Sequence, residues 1–425
     1  MGAVVPKKQK GKCGIMLAID GGSKIREAPF PKRHLFGAQE RQVVLELFDA
    51  SIESGEAIHY NGPEELAYEQ EFADFMGGGY ADLVNSGTAA LYVALGALEL
   101  KAAGEVVIPP ITDPGGAMPA ALLCQVPVIA DAAPGSFNTG AEEIAAVLTP
   151  HTRAIVVAHI AGEPADMDPI IDLARGRGIP VVEDCAQAHG ARYKGRMVGA
   201  LGDVAAFSTM SGKHHATGPQ GGVVFTRDEA LAWEAKRFSD RGKPFNLDLA
   251  YNVRAGLNLN GNDLSAAIGR VQLGKIETMI AKRREVAARI AAGIAGLRAV
   301  RLGRQTPETE GVYWFMRFFV DSECLRVDKD TFAAAVAAEG IPLTVSYRHI
   351  QSEAPWFAER RVFPGSDYPW SLAEYEGDRN AEFPCPNAIE TAGSHFIMSI
   401  HEQWGEREIE DVVAALTKVE EAYLR

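Results

Sequence analysis

Four short segments of the 425-residue chain concentrate the side chains that can do chemistry. In Asn85-Ser86-Gly87-Thr88-Ala89-Ala90-Leu91 a small-residue turn runs straight into an apolar helical pattern. A helix start leaves backbone N–H groups free, Gly87 admits close approach and Thr88 adds a hydroxyl, so the segment can cradle a phosphate. An ordinary N-cap would use the same residues. In Val181-Val182-Glu183-Asp184-Cys185-Ala186-Gln187-Ala188-His189-Gly190, Asp184 ends an apolar run. α/β enzymes place catalytic carboxylates at such strand ends, but a plain strand-end acid or cap also belongs there. The third segment is Phe207-Ser208-Thr209-Met210-Ser211-Gly212-Lys213-His214-His215, followed by Gly218-Pro219-Gln220-Gly221-Gly222. It sets one lysine among mostly small, hydroxyl and imidazole side chains. In a poorly solvated site that amine has a lowered pKa and can form a Schiff base; on a surface it is only a solvated charge. Adjacent His214 and His215 point different ways and no carboxylate stands at ligand spacing, so no metal site is expected. The fourth segment, Gly256-Leu257-Asn258-Leu259-Asn260-Gly261-Asn262-Asp263, has the composition of a turn before a helix.

Their order is more specific than any one of them. A phosphate cradle, then a strand-end aspartate, then a serine and a lysine in one loop is the layout that pyridoxal phosphate requires. The lysine holds the aldehyde as an imine, and the carboxylate keeps the pyridine nitrogen protonated so that the ring accepts electrons. Backbone and hydroxyl donors take the phosphate dianion.

Such a constellation needs strands that end together. Apolar runs at Val106–Ile108, Val126–Ala130, Ala154–His159, Pro180–Asp184, Val204–Ser208 and Gly222–Thr226 alternate with helical patterns at Thr88–Leu100, Ala141–Leu148 and Met167–Arg177. Runs apolar on both faces, joined by helix-length connections, predict an α/β fold: a mostly parallel central sheet with helices on both faces. Ligands then sit outside the carboxyl ends of the strands. Upstream, Glu40–Ser54 and Pro63–Phe75 have helical spacing, the second opening on proline and closing on Gly77-Gly78-Gly79. Ala266–Ala291 reads as one long connecting helix. A strand at Val312–Val320 and helices at Lys329–Glu339 and Glu408–Leu424 predict a smaller C-terminal α+β domain. The expected division is a flexible leader (1–30), a large cofactor-binding domain (31–290) and the small domain (291–425).

Composition removes several function classes. A formal net charge of −14 argues against a non-specific grip on nucleic acid or on an anionic membrane. No apolar run approaches the length of a membrane span. Cys13, Cys124, Cys185, Cys324 and Cys385 are scattered and form no zinc or disulfide pattern, which fits a reducing compartment. The lysine-rich start, Met1–Lys12, precedes an apolar stretch too short for a signal-peptide core, so a cytoplasmic location is expected. No G-x-G-x-x-G follows an early strand, which sets aside a nicotinamide-dependent oxidoreductase.

From about Phe36 to the C-terminus the motifs resemble the DegT/StrS-type sugar aminotransferases, pyridoxal phosphate enzymes of the aspartate-aminotransferase fold (fold type I). The resemblance rests on N-S-G-T-A-A-L (Asn85–Leu91), E-P-A-D-M-D (Glu163–Asp168), E-D-C-A-Q-A-H-G (Glu183–Gly190) and G-D-V-A-A-F-S (Gly202–Ser208) with Lys213. Further on come G-L-N (Gly256–Asn258), L-S-A-A-I-G (Leu264–Gly269) and Q-L-G-K (Gln272–Lys275). It implies that Lys213 binds the cofactor covalently and then moves protons, and that Asp184 pairs with the pyridine nitrogen. Gln187 would lie near the phenolic oxygen, and Gly87, Thr88 and Ser208 would hold the phosphate. Asn258 would reach the phosphate of a neighbouring subunit, making a homodimer with shared sites. The implied reaction moves an amino group from glutamate or glutamine to a ketone on a nucleotide-linked sugar or a cyclitol. The alternatives are a pyridoxal phosphate-dependent deoxysugar dehydratase, whose relatives carry histidine in place of the lysine, and a non-catalytic cofactor-binding regulator.

Three departures bear on specificity. The family's ring-stacking aromatic is missing from Pro109-Pro110-Ile111-Thr112-Asp113-Pro114-Gly115-Gly116, G-E-G-G has become Gly218-Pro219-Gln220-Gly221-Gly222, and a common arginine is Asn260. By position alone, His59, Tyr60, Arg254, Tyr347 and Arg348 are candidate substrate contacts.

Overall fold

The computed structural model describes residues 14–347 and 349–425. Seven strands form the central sheet: β1 (Tyr80–Val84), β2 (Glu105–Ile108), β3 (Val126–Ile129), β4 (Thr152–Ala158), β5 (Val181–Asp184), β6 (Val204–Ser208) and β7 (Gly222–Thr226). Their spatial order is β1-β7-β6-β5-β4-β2-β3. The five strands from β3 across to β6 are parallel; β7 runs antiparallel to both β6 and β1. Helices cover both faces, so β2, β3, β5, β6 and β7 are buried along their whole length. This is the expected α/β architecture, with one strand the periodicity did not predict. In β1, Asp82 interrupts the apolar pattern, yet all five residues pair with β7. The Lys236 ammonium, 2.6 Å from Asp82, compensates the buried charge.

Of the helices α1 (Ala38–Ser54), α2 (Pro63–Phe75) and α3 (Gly87–Ala97), the last matters most for the site. Every residue from Ala89 to Ala97 except Tyr92 is buried, and small side chains let the helix lie close over β6 and β7. Its first turn ends up beside the carboxyl ends of β1 and β6. The connector expected as one helix is two, Asp263–Leu273 and Ile276–Gly293. Gly274 closes the first with its N–H on the Arg270 carbonyl, and Lys275 turns away to pair with Glu40.

A second, three-stranded antiparallel sheet comprises β8 (Val300–Leu302), β9 (Met316–Val320) and β10 (His395–Met398). Phe318, Phe332, Phe396, Trp404 and Leu416 are buried in its core. The strand expected over Val312–Val320 begins only at Met316. Val312 and Trp314 instead donate their N–H groups to Gly162 and Ala161 of the large unit, both at 2.9 Å, which carries Trp314 to the site.

The leader expected over 1–30 needs a correction. Residues 1–13 lie outside the described residues, but residues 14–30 are packed against the small unit. Leu17 is buried in its core, the backbone N–H groups of Ala18 and Ile25 donate to Glu339, and Arg26 pairs with Glu408 and Asp411. A few apolar anchors, Ile15, Leu17, Ile25 and Phe30, suffice to order a segment whose overall composition is polar. Among the described residues no helix is long and apolar enough to cross a membrane.

Candidate active site

The carboxyl ends of β1, β5 and β6 meet at one edge of the sheet, where the order of strands departs from the order of the chain. β7 runs the other way, so its first residue, Gly222, sits at the same edge. Ser86 caps α3 by accepting the Ala89 N–H at 3.1 Å. Gly87 lies flat against Ser208: a Cβ there would stand 2.5 Å from Ser208 Cβ and 2.9 Å from its Oγ. A Cβ on Gly222 would collide with the Ser86 carbonyl, and one on Gly115 with Thr88 Oγ1. The glycines therefore keep open a cradle in which the first N–H groups of α3, the Thr88 hydroxyl and the Ser208 hydroxyl converge. All of these groups can donate a hydrogen bond, at the positive end of a helix dipole, and they suit a phosphate.

Asp184 ends β5 and is buried. Its Oδ1 accepts the Ala186 N–H at 3.0 Å. Its Oδ2 faces the gap made by Gly116, where a Cβ would lie 2.7 Å from that oxygen and 2.5 Å from Thr112 Oγ1. Burial raises the Asp184 pKa, and the Ala186 N–H and the charge of Lys213 pull it back only in part. One carboxylate oxygen is thus satisfied by the backbone and the other is left for a ligand.

Lys213 is 6% exposed. Burial pushes its ammonium down to about 8, against the raising influence of Asp184 and Asp113. An amine titrating there keeps a useful neutral fraction near pH 7, which nucleophilic attack on an aldehyde needs. Its Nζ sits 3.8 Å from the centroid of the Trp314 ring. Gln187 is anchored at both ends: Oε1 accepts the Ala161 N–H at 2.7 Å, and Nε2 donates to Tyr347 Oη at 3.4 Å. Ala161 holds a left-handed backbone (φ 66°), a conformation that needs surrounding contacts to maintain it.

His159, at the end of β4, was not singled out from the sequence. Its Nδ1 accepts the Ala165 N–H at 3.1 Å, which puts the proton on Nε2, 3.1 Å from Glu183. Burial alone would raise the Glu183 carboxyl, but His159 and the backbone N–H groups of Gly202 and Gly199 hold it below its usual value. His159, Glu183 and Cys185 bring potential ligand atoms within 4.8 Å of one another. Both Glu183 oxygens, however, are already taken by Gly199, Leu201, Gly202 and His159. The trio orders the loops around Asp184 and has no oxygen left for an ion.

Gly87, Thr88, Asp184, Gln187, Ser208 and Lys213 therefore share one edge of the sheet. Asn258 does not join them in its own chain: it is exposed, and its Oδ1 accepts from Asn260 Nδ2 at 2.7 Å. Of the candidate substrate contacts, Tyr347 reaches the site through Gln187. Tyr60 is turned to Arg241 and Lys243, His59 only accepts the Asp263 N–H through its carbonyl, and Arg254 is tied to Glu99 and Glu234. Arg348 lies outside the described residues. Asp113, on the loop where the resembling family stacks an aromatic, caps a short turn by accepting the Gly115 N–H. The Gly115-Gly116 pair was the signal for a close approach at this point.

A lysine of lowered pKa, a buried aspartate with one oxygen free and a cradle of N–H and hydroxyl donors at a helix start fit pyridoxal phosphate. On this sheet they define a fold type I pyridoxal phosphate protein. The sequence profile of the DegT/DnrJ/EryC1/StrS aminotransferase family matches residues 39–417, and the chain belongs to that family. It is 35% identical over 247 residues to the GDP-perosamine synthase of Caulobacter vibrioides, a stretch covering 58% of this chain and 65% of that one. It is 33% identical over 286 residues to the dTDP-3-amino-3,4,6-trideoxy-alpha-D-glucose transaminase of Streptomyces venezuelae, covering 67% and 73%. The fold of an aminotransferase from Psychrobacter cryohalolentis superposes with a TM-score of 0.79 at 30% identity, covering 91% of this chain and 98% of that one.

Proposed function

We propose that the protein is a pyridoxal phosphate-dependent aminotransferase that moves an amino group from glutamate or glutamine to a ketone on a sugar or cyclitol. The observation that carries this reading is the buried Lys213, its amine lowered to about 8 by burial, at the same sheet edge as the buried, half-free carboxylate of Asp184. When bound, the cofactor supplies an electron sink for the pair left by a breaking C–H bond. Asp184 is placed to keep a proton on the pyridine nitrogen, which strengthens that sink. The Lys213 amine would carry a proton from one carbon to another, which its lowered pKa permits near neutral pH. Gly87, Thr88 and Ser208 would hold the phosphate, and Gln187 would hydrogen-bond near the phenolic oxygen. Two relatives whose names specify nucleotide-linked sugars favour a nucleotide-linked ketone as the acceptor.

The proposed assembly is a homodimer. Leu45, Phe48 and Ile52 are exposed at three- and four-residue spacing on α1, and Leu249, Tyr251 and Leu257 are exposed in the segment 249–257, which supports a partner surface there. Asn258 is exposed just after that segment, its Oδ1 bonded to Asn260, so its proposed role is at the partner's phosphate.

The test is a screen of glutamate and glutamine against keto-sugars, free and nucleotide-linked, and cyclitol ketones, with the aminated product identified by mass and regiochemistry. Loss of water from a deoxysugar in place of amination would mark a dehydratase. A protein that binds the cofactor but turns over no donor would mark a regulator.

A further inference from the structure

The loop that carries Lys213 is held by side chains far from it in the sequence. Gly212, Lys213 and His214 lie in neither helix nor strand, so their carbonyls need partners from elsewhere. Arg33, which follows the packed N-terminal segment, supplies them. Its Nη1 donates to the Lys213 carbonyl at 2.5 Å and to that of Gly212 at 3.4 Å, and its Nη2 to that of His214 at 2.8 Å. Its Nε donates to Glu402 at 2.8 Å. The other Glu402 oxygen takes Arg283 Nε at 3.1 Å, and Arg283 Nη1 donates to the carbonyls of Tyr313 and Ile400. The circuit closes through Trp314, whose Nε1 donates to the Gly212 carbonyl at 3.1 Å while its ring face covers Lys213 Nζ.

We infer that Arg33 is a positioning residue for Lys213: clamped by Glu402, it fixes the backbone of the lysine loop so that the amine alone moves beneath the Trp314 ring. The inference rests on the reading of Lys213 as the amine that binds the cofactor. Arginine suits the task because one planar fork can meet adjacent carbonyls and a carboxylate together; an ammonium is a single point. Burial would raise the Glu402 carboxyl, but Arg283 and Arg33 hold it below its usual value, so the clamp stays charged around neutrality. With the loop fixed, Lys213 stays buried and its amine stays easy to deprotonate. With the loop released, the amine reaches water and regains an ordinary lysine pKa.

The experiment compares Arg33→Ala, Arg33→Lys and Glu402→Gln with the wild type. The first readout is the pH dependence of the rate at which apoprotein takes up pyridoxal phosphate, which follows the titration of the Lys213 amine. The second is steady-state kinetics. Arg33→Ala should move the uptake midpoint upward and lower kcat about ten- to a hundredfold, as expected for lost charge-assisted hydrogen bonds, with KM changed less than about twofold. Arg33→Lys should recover part of both effects, and Glu402→Gln should fall between Arg33→Ala and wild type. A folded Arg33→Ala protein with the wild-type midpoint and kcat overturns the inference. Should that variant not fold, wild-type midpoints in the other two overturn it equally. Lys213→Ala is the control for the underlying reading: if it takes up the cofactor with the wild-type visible spectrum, the assignment of Lys213 fails, whatever Arg33 does.

Discussion

Replacing Asp184 by asparagine tests the centre of the proposed chemistry with the smallest change of shape. The geometry fixes how the amide must sit. Asp184 Oδ1 accepts the Ala186 N–H at 3.0 Å, and an NH2 group cannot accept, so the amide oxygen has to take that place. The NH2 then occupies the position of Oδ2, over the gap at Gly116. There it can only donate, and a pyridine nitrogen facing it stays unprotonated. Losing one charge-assisted hydrogen bond is worth about 1.5–3 kcal/mol, or roughly ten- to a hundred-and-fifty-fold in kcat. Stability should move the other way or not at all. Burial raises the folded-state pKa of Asp184, so what the carboxyl adds to stability is present below the unfolded pKa and lost as pH rises through the folded one. At pH 7 the ionised group is therefore a burden that the neutral amide removes. The assays are thermal melting of the apoprotein at pH 7, cofactor retention on gel filtration, and initial rates of the loaded protein with the amino donor that the wild type uses. The expected outcome is an apoprotein melting temperature no lower than wild type, retained cofactor and a kcat reduced within that range. Turnover near the wild-type rate in a folded, loaded protein would refute the role given to Asp184.

Three further predictions follow from the same residues and their neighbours. Lys213→Ala should keep the fold and lose the covalent attachment, so borohydride treatment of the loaded wild type should leave its adduct on the Lys213 peptide; an adduct on another lysine sinks the assignment. One ammonium, Lys236, faces Asp82, Glu69 and Glu65, and burial pushes Glu65 up to about 7. The stability tied to its proton should be full below about pH 4.5 and lost as pH rises toward 7 and beyond, so Glu65→Gln should flatten that fall in urea midpoints between pH 5 and 8, and an unchanged slope counts against it. Finally, mixing Lys213→Ala subunits with Asn258→Ala subunits should restore activity if sites are shared, because one site per heterodimer then carries neither lesion. With subunit exchange verified and Asn258→Ala alone impaired, no recovery refutes the partner role of Asn258.

What could be read from the sequence follows from how locally each feature is encoded. The strands from Val106 to Thr226 are apolar on both faces because helices cover both sides, and that run pattern survives without any tertiary information. The site residues on strand ends and a helix start were legible for the same reason: Asp184, Ser208 and Gly87 sit where an element stops or begins. Asp82 hid β1, since a charge in a five-residue strand looks like a loop until Lys236, more than 150 residues on, is placed against it. Gly274 divides what reads as a continuous helical pattern, and Lys275 just after it meets a partner far back in the chain, Glu40. Trp314 looked like part of a strand, but the large unit takes the N–H groups that strand would have paired, and the residue becomes a lid on Lys213. Arg33 has no local signal at all. Its role exists only where the N-terminal segment, the loop after β6 and the turn before the C-terminal helix converge, so a charge that composition assigns to solvent becomes the support of the reactive amine. Side chains that touch a ligand thus mark themselves by type and position along the chain, whereas those that hold them in place are defined by contacts between distant segments.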